Sequence, residues 1–203
     1  MGIHLLFASS NAGKIAEIRQ LFADMDVTVV TPKAVAATIE VEETGANFRE
    51  NAALKAEALA RETGLPTLAD DSGLLVDALG GEPGIYSARY AGQDKNSERN
   101  IDKLLSKLAE TGDEDRRAHF VCTLALSCPN QLTHFVEGRC DGQIIYERRG
   151  NGGFGYDSVF LIPEYGKTFA ELGSEVKNVI SHRAKALFAL RSRWSQWMGA
   201  DAR

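Results

Sequence analysis

Two pairs of neighbouring carboxylates stand beside small-residue corners: Glu42 and Glu43 in VEETG, then Asp70 and Asp71 in ADDSG. Exposed to a common space, such groups suit two tasks. They can hold a hard cation such as Mg²⁺, which prefers oxygen ligands and keeps several waters, and they can take a proton from an attacking water. Neighbours on an extended chain point to opposite sides, so one of each pair is expected to face a shared site. For ADDSG the alternative is a solvated turn. Four residues separate Asn51 and Lys55 in ENAALKA, which puts both on one face of a helix.

The stretch LLFASSNAGKIAEIRQLF, Leu5 to Phe22, passes from an apolar run through a polar corner into helical spacing. A strand entering a helix through small residues aims free backbone N–H groups at an anion, and the helix dipole adds positive charge there. Ser9, Ser10 and Asn11 supply side-chain donors, Ala12 and Gly13 leave room for close approach, and Lys14 supplies a full charge. Ala8 and Ile15 stand where a phosphate loop of the Walker type needs Gly and Ser or Thr, so that motif is excluded. An ordinary turn with Asn11 as helix cap remains the alternative. Near the C-terminus, GGFGYD offers the flat face of Phe154 for stacking, with Gly155, Tyr156 and Asp157 beside it. SHR adds Ser181, His182 and Arg183, with Lys177 just upstream. Their alternatives are a core Phe154 and a Ser181 helix cap followed by two solvated basic residues.

Alternating strands and helices must position these groups. Ile3–Ser9, Val27–Thr31, Pro66–Asp71, Gly73–Leu79, Ala118–Ser127, Leu132–Arg139 and Gln143–Arg148 read as strands, and another begins at Ser158. Helices are expected over Lys14–Phe22, Asn47–Thr63, Asn96–Thr111 and Ser181–Met198; Gly64 and Gly112 stop the middle two. CPNQ is the expected hairpin turn. The fold class is α/β, one mixed sheet flanked by helices.

With 203 residues and a net charge of −5, the chain suits a single domain, and it lacks the basic surplus of a protein that grips a nucleic-acid backbone. Positive charge gathers locally instead: Lys177, Arg183, Lys185, Arg191, Arg193 and Arg203 face Asp201 alone from Lys177 onward, which suits a small anionic ligand. Three cysteines without a CxxC pattern and four scattered histidines give no zinc spacing. A reduced cytoplasmic protein is expected, with no membrane-spanning segment.

SSNAGK, EETGANFRENAALKA, ADDSGL, LGGEPGIYSARYAG, GGFGYD and SHRAKAL, in this order and from about Phe7 to Leu190, together resemble the inosine/xanthosine triphosphate pyrophosphatase family. Ser9-Ser10 departs from the Thr-Gly of many members; it keeps a hydroxyl and gives up backbone freedom. The resemblance implies an elongated, twisted mixed sheet in two lobes of one domain, residues 1–203, around a central substrate cleft. It implies Mg²⁺-dependent hydrolysis of ITP, dITP and XTP to the monophosphate and pyrophosphate, clearing deaminated purines from the nucleotide pool. Homodimers are expected, with LGGEPGIYSARYAG near the interface.

By position in the family motifs, Glu42 and Asp71 match the metal ligands and Asp71 the general base, which leaves Glu43 and Asp70 in structural roles. Lys14 and Lys55 accompany Asp71 in catalysis. Substrate contacts fall to Ser9, Ser10, Asn11, Ala12, Gly13, Lys14, Ser72, Phe154, Gly155, Tyr156, Asp157, Lys177, Ser181, His182 and Arg183. Donors aimed at purine position 6 accept an oxo group and meet the amino group of adenine unsatisfied. Two other readings share parts of this pattern: a related pyrophosphatase for modified pyrimidine triphosphates, and a nucleotide- or RNA-binding module without chemistry. GGFGYD with SHR speaks against the first, and the carboxylates have no use in the second.

Overall fold

The computed structural model describes residues 2–199. Asp201 and Arg203 of the basic stretch lie outside the described residues. Seven strands form one sheet in the order β2-β1-β3-β4-β5-β6-β7. These are β1 (Ile3–Phe7), β2 (Val27–Val30), β3 (Thr67–Val76), β4 (Arg117–Ser127), β5 (His134–Ile144), β6 (Phe160–Ile162) and β7 (Lys167–Thr168). Strand β1 runs parallel to β2, with Leu5 opposite Val29, and parallel to β3, with Phe7 opposite Leu68. Strand β6 runs antiparallel to β5 and to β7, so the sheet is mixed. The helices are α1 (Ala12–Leu21), α2 (Phe48–Thr63), α3 (Ser97–Thr111), α4 (Phe169–Ile180) and α5 (His182–Met198). None is long and apolar enough to cross a membrane.

The α/β class and four of the helices agree with the sequence; three elements do not. First, β3 runs unbroken through ADDSG, where two short strands around a polar corner were expected. Buried charge partners for both aspartates, described below, let polar residues continue a strand. Second, β5 is one strand, not two. Gly142 sits within it, and a Cβ there would meet the Leu161 carbonyl and the Phe160 ring at 2.6 Å, so the glycine admits β6 rather than ending β5. Third, α4 was missed. Its signature is a capping box in which Thr168 accepts from the Glu171 N–H while Glu171 accepts from the Thr168 N–H. Gly173, at φ 76°, interrupts the helical conformation and hides the period.

The chain divides into two compact units. One comprises Met1–Asp71, Cys122–Gly138 and Lys185–Arg203; the other comprises Ser72–Val121 and Arg139–Ala184. In the first, Leu5, Phe7, Ile18, Leu68, Leu124 and Leu190 surround Trp194, whose ring lies 4.7 Å from that of Phe22. A separate contact joins α2 to the sheet through Ala52, Ala56, Ala69 and Ala125. Methyl-sized side chains let the helix backbone lie close to β3, which brings Asn51 and Lys55 within reach of Asp71. In the second unit, Phe120, Phe160 and Phe169 interlock with centroids 4.6–6.2 Å apart, joined by Leu74, Ile101, Leu104 and Ile162.

Candidate active site

The first unit assembles an acid-and-lysine cluster. Asp70 and Asp71, adjacent on β3, face different partners, as strand alternation requires. Asp70 is buried and pairs with Lys14 Nζ at 2.7 Å. Lys55 Nζ donates to Glu43 Oε1 at 2.9 Å and to the Asp70 carbonyl at 2.7 Å, and it stands 3.7 Å from Asp71 Oδ1. The other Asp71 oxygen, Oδ2, accepts from Asn51 Nδ2 at 3.1 Å. Burial pushes the Asp71 carboxyl above its ordinary value; Lys55 pulls it back in part, while Glu43 and Asp70 push it further up. For Lys55 burial works against the charged form, but Asp71, Asp70 and Glu43 together outweigh it and raise its pKa. Three carboxylates thus gather around two ammonium groups.

The structure places Glu42 and Glu43 in different surroundings. Glu42 is exposed, whereas Glu43 is half-buried and joins Lys55 and Asp71. Both lie outside the strands, and Glu43 is the one that pairs with Lys55. Asp70 also gains a definite role as the counter-ion of Lys14. Among the described residues no closed group of three or more His, Cys, Asp and Glu side chains could hold a metal ion. Glu42 and Asp71 nevertheless offer the hard oxygen donors that suit Mg²⁺, and a cation of that kind takes its remaining ligands from water and substrate.

At the start of α1, Asn11 is the N-cap: its side chain accepts from the Lys14 N–H at 3.0 Å, and Ser9 Oγ accepts from the Asn11 N–H at 3.2 Å. The capping reading of this corner is therefore correct. The cap occupies one N–H, and a helix start leaves several others without intrahelical acceptors. Ser10, Asn11, Ala12 and Gly13 are exposed, and Lys14 is partly so.

The second unit assembles the aromatic and basic residues. Phe154 is 44% exposed, which overturns the core alternative. Lys177 lies buried at 7% exposure, its Nζ 2.5 Å from Asp157 Oδ2 and 4.4 Å from the centroid of the Phe154 ring. The same Asp157 oxygen accepts from the Phe154 N–H at 2.9 Å. A Cβ on Gly153, where φ is 75°, would come within 2.1 Å of that oxygen, so the turn is open only to glycine. Tyr156 is buried, and its hydroxyl donates to the Ser87 carbonyl at 2.8 Å.

Two arginines fix the glycine-rich loop at its entry. Arg148 reaches Glu98 and Asp102 of α3 at 2.9 and 2.7 Å, and Arg149 reaches Glu171 of α4 at 2.9 Å. Ser181 accepts from the Ala184 N–H at 3.2 Å and caps α5. His182 lies flat on Phe120, centroids 4.7 Å apart and planes 14° apart, and Arg183 is 2% exposed; both are buried, not solvated. Ser72 is half-buried, one place beyond Asp71 on β3. Sequence reasoning gave Glu43 a structural role without finding its partner Lys55, and it missed Phe120 and any role for Asn51. Only Asn51 left a signal, its helical spacing from Lys55.

The chain thus combines a mixed α/β sheet with a buried carboxylate cluster, an exposed helix N-terminus and an aromatic–cation loop. Residues 5–193 match the Ham1 family, and the chain belongs to it. It is 52% identical over 199 residues to the dITP/XTP pyrophosphatase of Geobacillus kaustophilus (strain HTA426), covering 98% of each chain. To the dITP/XTP pyrophosphatase of Bacillus anthracis it is 46% identical, covering 95% of this chain and 96% of that one. Among solved structures, the Ham1 protein of Staphylococcus aureus superposes with a TM-score of 0.87 at 45% identity, and a HAM1 protein from Coxiella burnetii with 0.90 at 39%. Each covers 96% of this chain and 99% of the other. The resemblance read from the motifs is borne out.

Proposed function

We propose that this protein hydrolyses the non-standard purine nucleoside triphosphates dITP, XTP and ITP to the monophosphate and pyrophosphate. Relatives with 46–52% identity over nearly the whole chain carry the name dITP/XTP pyrophosphatase, and that is the strongest support for the substrate class. The observation that carries the chemistry is Asp71: a buried carboxylate whose pKa burial raises above its usual range, with Lys55 beside it, is a stronger base than an exposed aspartate. Water oxygen attacks the α-phosphorus, Asp71 takes the proton, and pyrophosphate leaves. Glu42 and Asp71 would hold Mg²⁺, with Glu43 engaged by Lys55; the cation when bound neutralises charge on the phosphate oxygens. Lys14 and the N–H groups that open α1 receive the phosphate end. Phe154 stacks on the purine, while His182 and Arg183 supply donors to its oxo groups. As part of the same reading, the two units are lobes of one pyrophosphatase domain, and the protein works as a cytoplasmic homodimer. Tyr86, 57% exposed in LGGEPGIYSARYAG, supports an interface there.

The decisive test is Mg²⁺-dependent pyrophosphate release from ITP, dITP and XTP, with ATP, GTP and modified pyrimidine triphosphates as controls. Equal rates on ATP and ITP would refute the purine selectivity, and binding without turnover would favour a non-catalytic module. A narrower expectation concerns stacking. Phe154→Ala raises KM for ITP about ten- to a hundredfold, because stacking on an aromatic ring is worth roughly 1–3 kcal/mol per base. Steady-state kinetics check it, and an unchanged KM removes Phe154 from the base contact.

A further inference from the structure

We infer that Asn51 is a positioning residue that holds the Asp71 carboxylate in its working orientation and fixes the Glu43 loop to the same point. The inference rests on the function proposed above for its catalytic consequence, and on geometry alone for the positioning. Asn51 is fully buried on α2, at 0% exposure, and both ends of its amide are engaged. Its Oδ1 accepts from the Gly45 N–H at 2.8 Å, two residues beyond Glu43. Its Nδ2 donates to Asp71 Oδ2 at 3.1 Å.

Polarity at one end of the amide fixes polarity at the other. A backbone N–H only donates, so the amide oxygen must face Gly45 and the NH₂ must face Asp71. Asp71 Oδ2 is thereby held as an acceptor. The remaining oxygen, Oδ1, turns toward Lys55 and is the one left for water or cation. One side chain thus divides the two oxygens of the base between a structural task and a chemical one. A Cβ at Gly45 would lie 2.7 Å from Asn51 Oδ1 and 2.6 Å from Glu50 Cβ, so the loop can come this close only because residue 45 is glycine. The start of α2 ties the same loop independently, through Ala46 N–H to Glu50 at 2.7 Å and Glu50 N–H to Asn47 at 2.9 Å. Loss of Asn51 therefore frees Asp71 more than it frees the loop.

Two substitutions of similar size separate positioning from packing. Asn51→Asp keeps an acceptor for Gly45 and replaces the donor facing Asp71 by a second carboxylate. Asn51→Leu removes both hydrogen bonds. Three quantities are measured on the full chain: thermal melting, binding of Mn²⁺ without nucleotide by electron paramagnetic resonance, and kcat and KM for dITP. The expected result for Asn51→Asp is a cooperative melt, lowered by the second buried carboxylate facing Asp71, with kcat lowered about a hundredfold and KM within threefold. For Asn51→Leu it is Mn²⁺ binding weakened at least tenfold. A folded Asn51→Asp protein with kcat within twofold of the unsubstituted enzyme overturns the inference, as does unchanged Mn²⁺ affinity in a folded Asn51→Leu protein. Should Asn51→Leu fail to fold, Asn51→Asp decides alone. Absence of dITP turnover in the unsubstituted protein refutes the proposed function, and the comparison of Mn²⁺ binding between that protein and Asn51→Leu still decides the positioning.

Discussion

Asp71→Asn is expected to lower ITP turnover by about a thousandfold or more while leaving the fold intact. The amide has the shape of the carboxylate, and its oxygen can still accept from Asn51 Nδ2, so packing on β3 is undisturbed. What disappears is the proton acceptor, a contribution of about 10²–10⁴-fold, together with a donor oxygen for the cation. Stability moves the other way. The Asp71 pKa is raised in the folded state, chiefly by burial, so the fold binds a proton here more readily than the unfolded chain does. A group of that sign favours folding most below its unfolded pKa and loses the contribution as pH rises through the folded one. Where Asp71 is ionised, its burial is therefore a cost that the amide variant does not carry. Melting of the metal-free protein at pH 7 should show Asp71→Asn at least as stable as the unsubstituted chain, with the advantage shrinking toward pH 4. Near-normal turnover in this variant would remove Asp71 from the mechanism.

Lys177→Met carries the second large effect, and here stability and activity fall together. Lys177 is the buried counter-ion of Asp157 at 2.5 Å, and its ammonium also lies against the Phe154 ring. Methionine fills the space of the stem but strips the buried carboxylate of its counter-ion, leaving it to accept from the Phe154 N–H. Breaking a buried pair from one side costs about 3–5 kcal/mol. Denaturant unfolding should register a loss of that order. Because the turn carrying Phe154 is held by the same Asp157 oxygen, kcat/KM for ITP should drop about a hundredfold, mostly through KM. The double variant Lys177→Met with Asp157→Leu removes both charges and should recover much of the stability without recovering ITP affinity. Recovery of both would show that the pair serves only the fold.

The parts of this fold that could be read in advance were those with local causes. Helices α2 and α3 announce their ends by Gly64 and Gly112, and the structure keeps the expected boundaries within a residue, with Asn47 and Asn96 as caps. ADDSG misled because composition alone makes two acids and a Ser-Gly pair look like a turn. Lys14, far off in sequence, makes that segment strand, and no local window contains both partners. The same limit hid the pairing of Glu43 with Lys55. Choosing between adjacent glutamates required knowing which way the chain enters the cluster, and that is set by Asn51, Glu50 and Lys55 on another element. Stacking of His182 on Phe120 was equally out of reach, since residues in β4 and at the start of α5 meet only in three dimensions. By contrast, the motif residues of GGFGYD lie within one turn, and their association through Asp157 is nearly local.

The hydrogen atom that serves as the side chain of Gly153 limits how this protein can change over generations. Any larger group there would displace the Asp157 oxygen that Phe154 and Lys177 share. Drift toward a new nucleobase must consequently enter through neighbouring codons, with position 153 as a fixed point of the lineage.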